Sequence, residues 1–241
     1  MYYWQLWHHN WDDRDLHVVQ EMCPLKGGRV LEIGCGDGRM TFGLATYCNS
    51  ITGVDINERF IQIAKERLKN GNEKDIEFLI MDAQQLNLSD ESFDVVLFPW
   101  VLQMISDPMV AVRKAYRVLK PGGAVIVVGL RSDADYDRIM SNIVPDILAI
   151  DPSACYEKPI ERVFGKDSQR IALQVEESFD YYFESLEIAH EAFVFALDCW
   201  YSTTLAMAGQ QQLRELLGQY LLDNRVRLQF PASIYLVKKP L

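Results

Sequence analysis

The chain has 241 residues, enough for one sizeable core, and its 49% hydrophobic and 24% charged residues are the balance of an ordinary folded protein, neither disordered nor membrane-embedded. The formal net charge is −10 and no basic cluster is longer than Lys238-Lys239, so a broad phosphate-backbone footprint is not expected and nucleic acid is not expected as a partner. Five cysteines without C-x-x-C spacing point to reduced thiols and no metal site. With no bilayer-long apolar run and no signal-peptide pattern in MYYWQLWHHN, the expectations are no membrane and a cytoplasmic location.

In chain order, Tyr2, Tyr3, Trp4, Trp7 and Trp11 form a dense aromatic set before the first strand, with His8 and His9 between them. Two readings stand for this stretch: a helix docked on the core, or a lid that keeps water from a reacting group. Short Val/Ile/Leu-rich runs then predict strands at 29–33, 51–55, 76–81, 94–98 and 124–130. Between them, 40–47, 58–69 and 108–119 carry apolar residues three and four apart and read as crossover helices. Pro108 suits the first turn of its helix, and Lys120-Pro121-Gly122-Gly123 closes it and turns the chain into the fifth strand.

After residue 130 the alternation fails. Residues 131–178 are polar and interrupted by Pro145, Pro152 and Pro159, which predicts a cap insertion outside the sheet. Residues 181–196 read as a long strand, 200–222 as helical, and 232–238 as a last strand beside its neighbours in antiparallel sense. The expected fold is α/β, a Rossmann-like, doubly wound, mostly parallel seven-stranded sheet with an antiparallel last strand and a helical cap. It is read as one domain over 1–241, with its core at 28–130 and 179–241, an N-terminal lid at 1–27 and the cap at 131–178.

The sharpest local signal is VLEIGCGDGR at 30–39, an apolar strand followed by Gly34, Gly36 and Gly38 and then a helix. Glycines there let the backbone turn tightly and let a ligand lie against the main chain, at the strand end where open α/β sheets bind ligands. Dinucleotide sites use G-x-G-x-x-G in the same place, but here the sixth position is Arg39, too large for the close helix packing that the third glycine allows. Asp55 closes the next strand, where a carboxylate accepts from both ribose hydroxyls of an adenosine; the competing reading makes it the cap of the helix beginning near Asn57.

These pieces resemble the class I S-adenosylmethionine-dependent methyltransferases. VLEIGCGDGR is similar to that family's glycine motif, GVDIN to its ribose motif, FLIMDAQQL to its adenine motif, FDVVLFPWVLQMI to its fourth-strand motif and LKPGGAVIVV to the strand that follows. Within the family the chain looks like the small-molecule enzymes of ubiquinone and menaquinone biosynthesis, through ALDCWYSTTL and FPASIYLVKKP.

The resemblance implies S-adenosylmethionine as cofactor and S-adenosylhomocysteine as product. It places Glu32, Gly34, Cys35 and Gly36 around the methionine part, Asp55 and Ile56 on ribose and adenine, and Asp82, Ala83 and Gln84 at the adenine. Backbone carbonyls near Gly34 and Phe98 would receive the ammonium. Trp100 has two readings, a cation–π partner for the sulfonium or a core tryptophan, and Asp82 is alternatively a turn aspartate.

The expected substrate pocket is Trp7, His8, Trp11, Gln103, Trp200 and Tyr201, although Trp200, Tyr201, Leu205 and Met207 also read as a core stripe. No general base is assigned, because Gln103 stands where many relatives carry histidine and an amide takes no proton at neutral pH. The expected activity is methyl transfer to a small molecule by in-line displacement, in a monomer or homodimer. The alternatives are a protein or nucleic-acid acceptor and a cofactor-binding module without catalysis; Arg39 and the later motifs disfavour a nicotinamide enzyme.

Overall fold

The computed structural model describes residues 14–22, 27–71, 75–131, 133–145, 159–160, 162–164 and 171–241, with residues 70, 130, 171–179 and 199–201 described by their backbone alone. The strands are β1 Arg29–Ile33, β2 Ser50–Asp55, β3 Ile76–Ile80, β4 Phe93–Pro99, β5 Leu119–Leu130, β6 Ile171–Phe183, β7 Leu221–Leu222 and β8 Arg225–Lys238. The helices used below are α1 Arg14–Met22, α2 Arg39–Leu44, α3 Glu58–Asn70, α4 Pro108–Val118, α5 Asp135–Ile143, α6 Leu186–Tyr201 and α7 Met207–Gly218.

The strand order is β3-β2-β1-β4-β5-β8-β6, with β7 paired to β8. β1 runs parallel to β2 and β4, with Val30 facing Ile51 on one side and Val95 on the other. β2 and β3 are parallel too, as are β4 and β5. Parallel neighbours demand crossovers, and the helices after β1, β2 and β4 supply them. β8 turns the other way: Gly122 N donates to Lys239 O at 3.1 Å and Lys239 N to Gly123 O at 2.8 Å, so the end of β8 lies beside the start of β5. Arg131 N donates to Pro231 O at 3.0 Å, which completes the antiparallel sense. The mostly parallel, doubly wound sheet with an antiparallel late strand is as expected from the sequence.

The chain divides into two compact units. One holds 15–129, 153–176 and 233–241; its core gathers Leu31, Ile33, Val96, Phe98, Val112 and Val125, all almost wholly buried. Its helices start where capping chemistry puts them: Asn57 Oδ1 accepts from Arg59 N at 3.0 Å at α3, and Asp107 Oδ1 from Val110 N at 3.1 Å at α4, with Pro108 in the first turn.

The other unit holds 1–14, 130–152 and 177–232. Its core is aromatic: the rings of Tyr136, Tyr181, Phe183, Phe193 and Phe230 have neighbouring centroids 4.8 to 6.4 Å apart.

Three expectations are corrected here. The strand expected at 181–196 lies at Ile171–Phe183, so the last residues of the proposed cap insertion belong to the sheet. The residues from Leu186 onward form α6, because Ser185 Oγ caps Ile188 N at 3.2 Å and the buried Ala189, Ala192, Phe193, Ala196 and Leu197 recur at helical spacing. The helix expected over 200–222 is two pieces, since Ser202 in the left-handed conformation (φ 50°) ends α6 and α7 begins only at Met207. Met207, expected in an apolar core stripe, is 87% exposed.

Candidate functional site

The carboxyl ends of β1, β2 and β4 carry the polar residues singled out above. After β1 the backbone turns through Gly34, Gly36 and Gly38 at φ 74°, 55° and 89°, all in the region that glycine tolerates best. The three glycines differ in what surrounds them. A Cβ on Gly34 would lie 2.3 Å from Cγ2 of Val101, and one on Gly38 2.7 Å from the ring of Phe78; among the described residues, one on Gly36 would meet nothing within 4 Å. Gly34 and Gly38 are therefore small because protein packs against them, and Gly36 alone faces open space.

Asp55, at the end of β2, accepts from Gly36 N at 2.9 Å on Oδ2 and from Asn57 N at 2.8 Å on Oδ1. The helix cap here is Asn57, so the cap reading of Asp55 fails and its carboxylate instead fixes the glycine turn. Burial raises its pKa above the ordinary value, against the pull of the Asn57, Gly36 and Ile56 amides. The next residue, Ile56, is 69% exposed, and Ile80, the register partner of Asp55 on β3, is 51% exposed. These apolar side chains offer a flat ligand a surface at the strand ends.

Glu32 is buried and accepts a short hydrogen bond from the Thr41 hydroxyl of α2. Burial pushes its carboxyl up to about 8, with the Thr41 bond and Arg39 opposing and Asp37 and Asp55 adding to the rise. Cys35 is buried, and its thiol is held well above the ordinary range by burial and by the charges of Glu32, Asp55 and Asp37, which makes it inert as a nucleophile. Asp37 is tied by Arg67 of α3, which reaches both its Oδ2 at 2.5 Å and its carbonyl at 3.0 Å.

After β3, Asp82 Oδ1 accepts from Gln84 N at 2.8 Å and caps the 3-10 turn Ala83–Gln85, so the turn reading of Asp82 holds, with Gln84 Oε1 accepting from Ser106 at 3.2 Å. After β4, Phe98 buries its side chain in the core, which leaves only its backbone to a ligand. Trp100 stands at φ 59°, its N donating to Val128 O at 2.8 Å and its carbonyl accepting from Gln103 Nε2 at 2.9 Å. The Gln103 amide oxygen is buried without a hydrogen-bond partner among the described residues.

The Trp100 indole N–H donates to Asp15 Oδ2 at 2.9 Å, so it is anchored by a carboxylate that the sequence reading passed over. Asp15 is fully buried on α1 and also takes Arg39 Nη1 at 3.0 Å and Nη2 at 2.5 Å, and Leu16 N at 2.8 Å. Burial drives this carboxyl up, but the Arg39 charge and the Arg39, Trp100 and Leu16 hydrogen bonds outweigh it and leave it below the ordinary value. Nothing in the local pattern singles out Asp15, which meets Arg39 from 24 residues away and Trp100 from 85.

Trp7, His8 and Trp11 lie outside the described residues, and Trp200 and Tyr201 sit on α6, where only the backbone is described. Among the described residues no group of His, Cys, Asp and Glu is arranged to hold a metal ion, and no helix is long and apolar enough to cross a membrane.

A family model described as a methyltransferase domain matches residues 31–127, the segment that carries the glycine turn, Asp55, Asp82 and β4. Residues 31–127 are thus similar to a methyltransferase domain. Over 114 residues it is 35% identical to the demethylmenaquinone methyltransferase of Lactococcus lactis subsp. lactis (strain IL1403), a match covering 46% of this chain and 45% of that relative. The chain thus spans about half the length of the curated relatives it matches.

Among solved structures, the YcgJ protein of Bacillus subtilis superposes with a TM-score of 0.71 at 16% identity, over 95% of this chain and 99% of that one. A Haemonchus contortus phosphoethanolamine N-methyltransferase 2, in complex with phosphomonomethylethanolamine and S-adenosylhomocysteine, does so with a TM-score of 0.60 at 20% identity, over 95% and 53%. At these identities the two structures show the fold.

Proposed function

We propose that this protein transfers a methyl group from S-adenosylmethionine to a small-molecule acceptor by in-line displacement, with S-adenosylhomocysteine as product. The observation that carries this reading is the open face of Gly36, pinned at its amide by Asp55, in a turn whose other two glycines are filled by protein. That is the shape of a backbone cradle whose occupant is not protein.

The residues present fit the cofactor. A carboxylate has about four lone-pair sites, and Asp55 spends one on Gly36 N and one on Asn57 N among its hydrogen bonds, which leaves room for ribose hydroxyls. Asp82 uses Oδ1 for its turn, so Oδ2 serves the adenine amine. Ile56 and Ile80 supply the apolar surface, and Glu32 is a buried carboxyl whose proton burial retains, so that a neighbouring ammonium would favour its ionised form.

When bound, the cofactor supplies a methyl carbon already activated by the sulfonium. The protein's task is to hold that carbon in line with the acceptor, and proximity and orientation are worth roughly 7–11 kcal/mol of such a barrier. No acid or base residue is then obligatory, in keeping with an amide at Gln103. A small acceptor is supported by the activity named for the Lactococcus relative and by the net charge of −10.

Thermal melts test the cofactor reading. A ligand at 100 times its Kd adds about 2.7 kcal/mol, which for a chain of this size raises Tm by roughly 5–10 °C. S-adenosylmethionine and S-adenosylhomocysteine are expected to give this shift and NADH none; stabilisation by NADH alone overturns the assignment. The acceptor reading is tested by S-adenosylhomocysteine release with reduced demethylmenaquinone and other small acceptors. Release driven only by protein or nucleic acid would replace the acceptor class.

A further inference from the structure

Asp15 closes a ring of contacts around the glycine turn. The turn leads through Gly38 directly into Arg39, whose guanidinium grips both oxygens of Asp15. Asp15 Oδ2 also accepts from the Trp100 indole. Trp100 is followed by Val101, whose side chain packs so closely on Gly34 that no Cβ fits there. The circuit thus runs from the glycine turn through Arg39, Asp15, Trp100 and Val101 back to the glycine turn, and its members come from α1, α2 and the end of β4.

We infer that Asp15 is a positioning residue of the cofactor site, an inference that rests on the methyltransferase reading: through Arg39 and Trp100 it holds the end of β4 and the glycine turn in the geometry that receives the ligand.

Stability alone is a poor reason for this arrangement. A buried ion pair contributes little net stability compared with apolar residues of the same volume, because desolvation cancels most of the attraction. Asp15 is wholly buried and Arg39 is 18% exposed, so the desolvation is nearly complete. What the pair supplies is direction. A carboxylate facing a planar guanidinium fork fixes the plane of both groups, and the indole N–H on the same oxygen fixes the tryptophan ring.

Trp100 needs such an anchor. A bulky residue at φ 59° is in a backbone region that persists only where the surroundings hold it. Its N and carbonyl are held by Val128 and Gln103, and Asp15 holds the ring. Without Asp15, the indole N–H and the guanidinium of Arg39 lose the acceptor that links them beside the glycine turn.

The test is calorimetric titration with S-adenosylhomocysteine, which needs no acceptor, on the full chain and on Asp15→Asn, Trp100→Phe and the double variant. Each single change is expected to weaken binding roughly tenfold, the worth of a hydrogen bond to a charged group. The double variant is expected to bind about as the weaker single variant does, because the two residues act through one contact.

A residue that only stabilises the fold lowers Tm but leaves the affinity of folded protein unchanged, so folded single variants that bind like wild type overturn the inference. Losses that simply add overturn the coupling. If Asp15→Asn does not fold, Trp100→Phe decides alone, since it leaves the Asp15–Arg39 pair in place and keeps an aromatic ring while removing the N–H donor and part of the indole volume. Failure of the wild-type chain to bind S-adenosylhomocysteine refutes the methyltransferase reading itself, and this inference with it.

Discussion

Around the glycine turn, the buried Glu32, Asp37 and Asp15 are held by Thr41, Arg67 and by Arg39 with Trp100, and the less buried Asp55 is held by backbone amides. In the unit containing α5, α6 and α7, the buried contacts are mainly between rings, with Asp135 accepting from Gln229 N at 2.7 Å beside them, and ion pairs such as Arg214–Glu187 and Arg225–Glu184 lie at the exposed surface. The difference teaches how each region tolerates change. Directed polar contacts fix the position of a few atoms and are sensitive to the identity of one partner, whereas ring packing is non-directional and answers mainly to volume.

The largest expected effect breaks the aromatic region. Phe193 touches both Tyr136 and Phe183, and truncation of such a buried ring costs about 3–5 kcal/mol. Phe193→Ala is expected to lower Tm by roughly 6–20 °C while the affinity for S-adenosylhomocysteine, titrated well below Tm, stays within about twofold. A large loss of affinity in the folded variant would show that the two regions are not separable in this way.

Next in size, two glycines two positions apart are expected to respond in opposite ways. Gly34→Ala must push the Cβ into Val101, so it is expected to destabilise by about 2–4 kcal/mol. Gly36→Ala meets nothing in the protein and bears only the left-handed backbone cost of roughly 1–2 kcal/mol. It is expected to stay folded while its cofactor affinity drops at least about tenfold, because the methyl group enters the open face. Differential scanning fluorimetry and titration read the two effects separately, and a Gly36→Ala chain with wild-type affinity would show that this face does not receive the ligand.

A further effect is the pH dependence carried by Glu32. In the unfolded chain its carboxyl ionises near 4.5, and in the folded protein burial holds the proton up to about 8. Between these values the folded state binds the extra proton, so this residue's contribution to stability falls as pH rises through that window and is fully favourable only below it. Glu32→Gln, which cannot ionise, is expected to flatten the decline of Tm from pH 5 to pH 8 relative to wild type. Parallel Tm profiles for the two proteins would mean that Glu32 ionises as an ordinary carboxylate.

By itself the sequence determined the parallel half of the sheet and the glycine turn and carboxylates at its strand ends. Strands β1 to β5, their crossovers and the positions of Gly34, Gly36, Asp55 and Asp82 depend on hydrophobic period and on backbone conformations that only certain residues adopt, and both are local properties. The tertiary structure decided the rest.

Whether 181–196 is strand or helix turned on Ser185 and on which face is buried, since an apolar run of that length fits either period. That Gly36 is the glycine of the turn on which a Cβ would meet no described residue followed from Val101 and Phe78 reaching Gly34 and Gly38. That Trp100 is anchored by Asp15 followed from a contact across 85 residues, and no pattern in the chain marks two side chains that meet only after the sheet and α1 have packed.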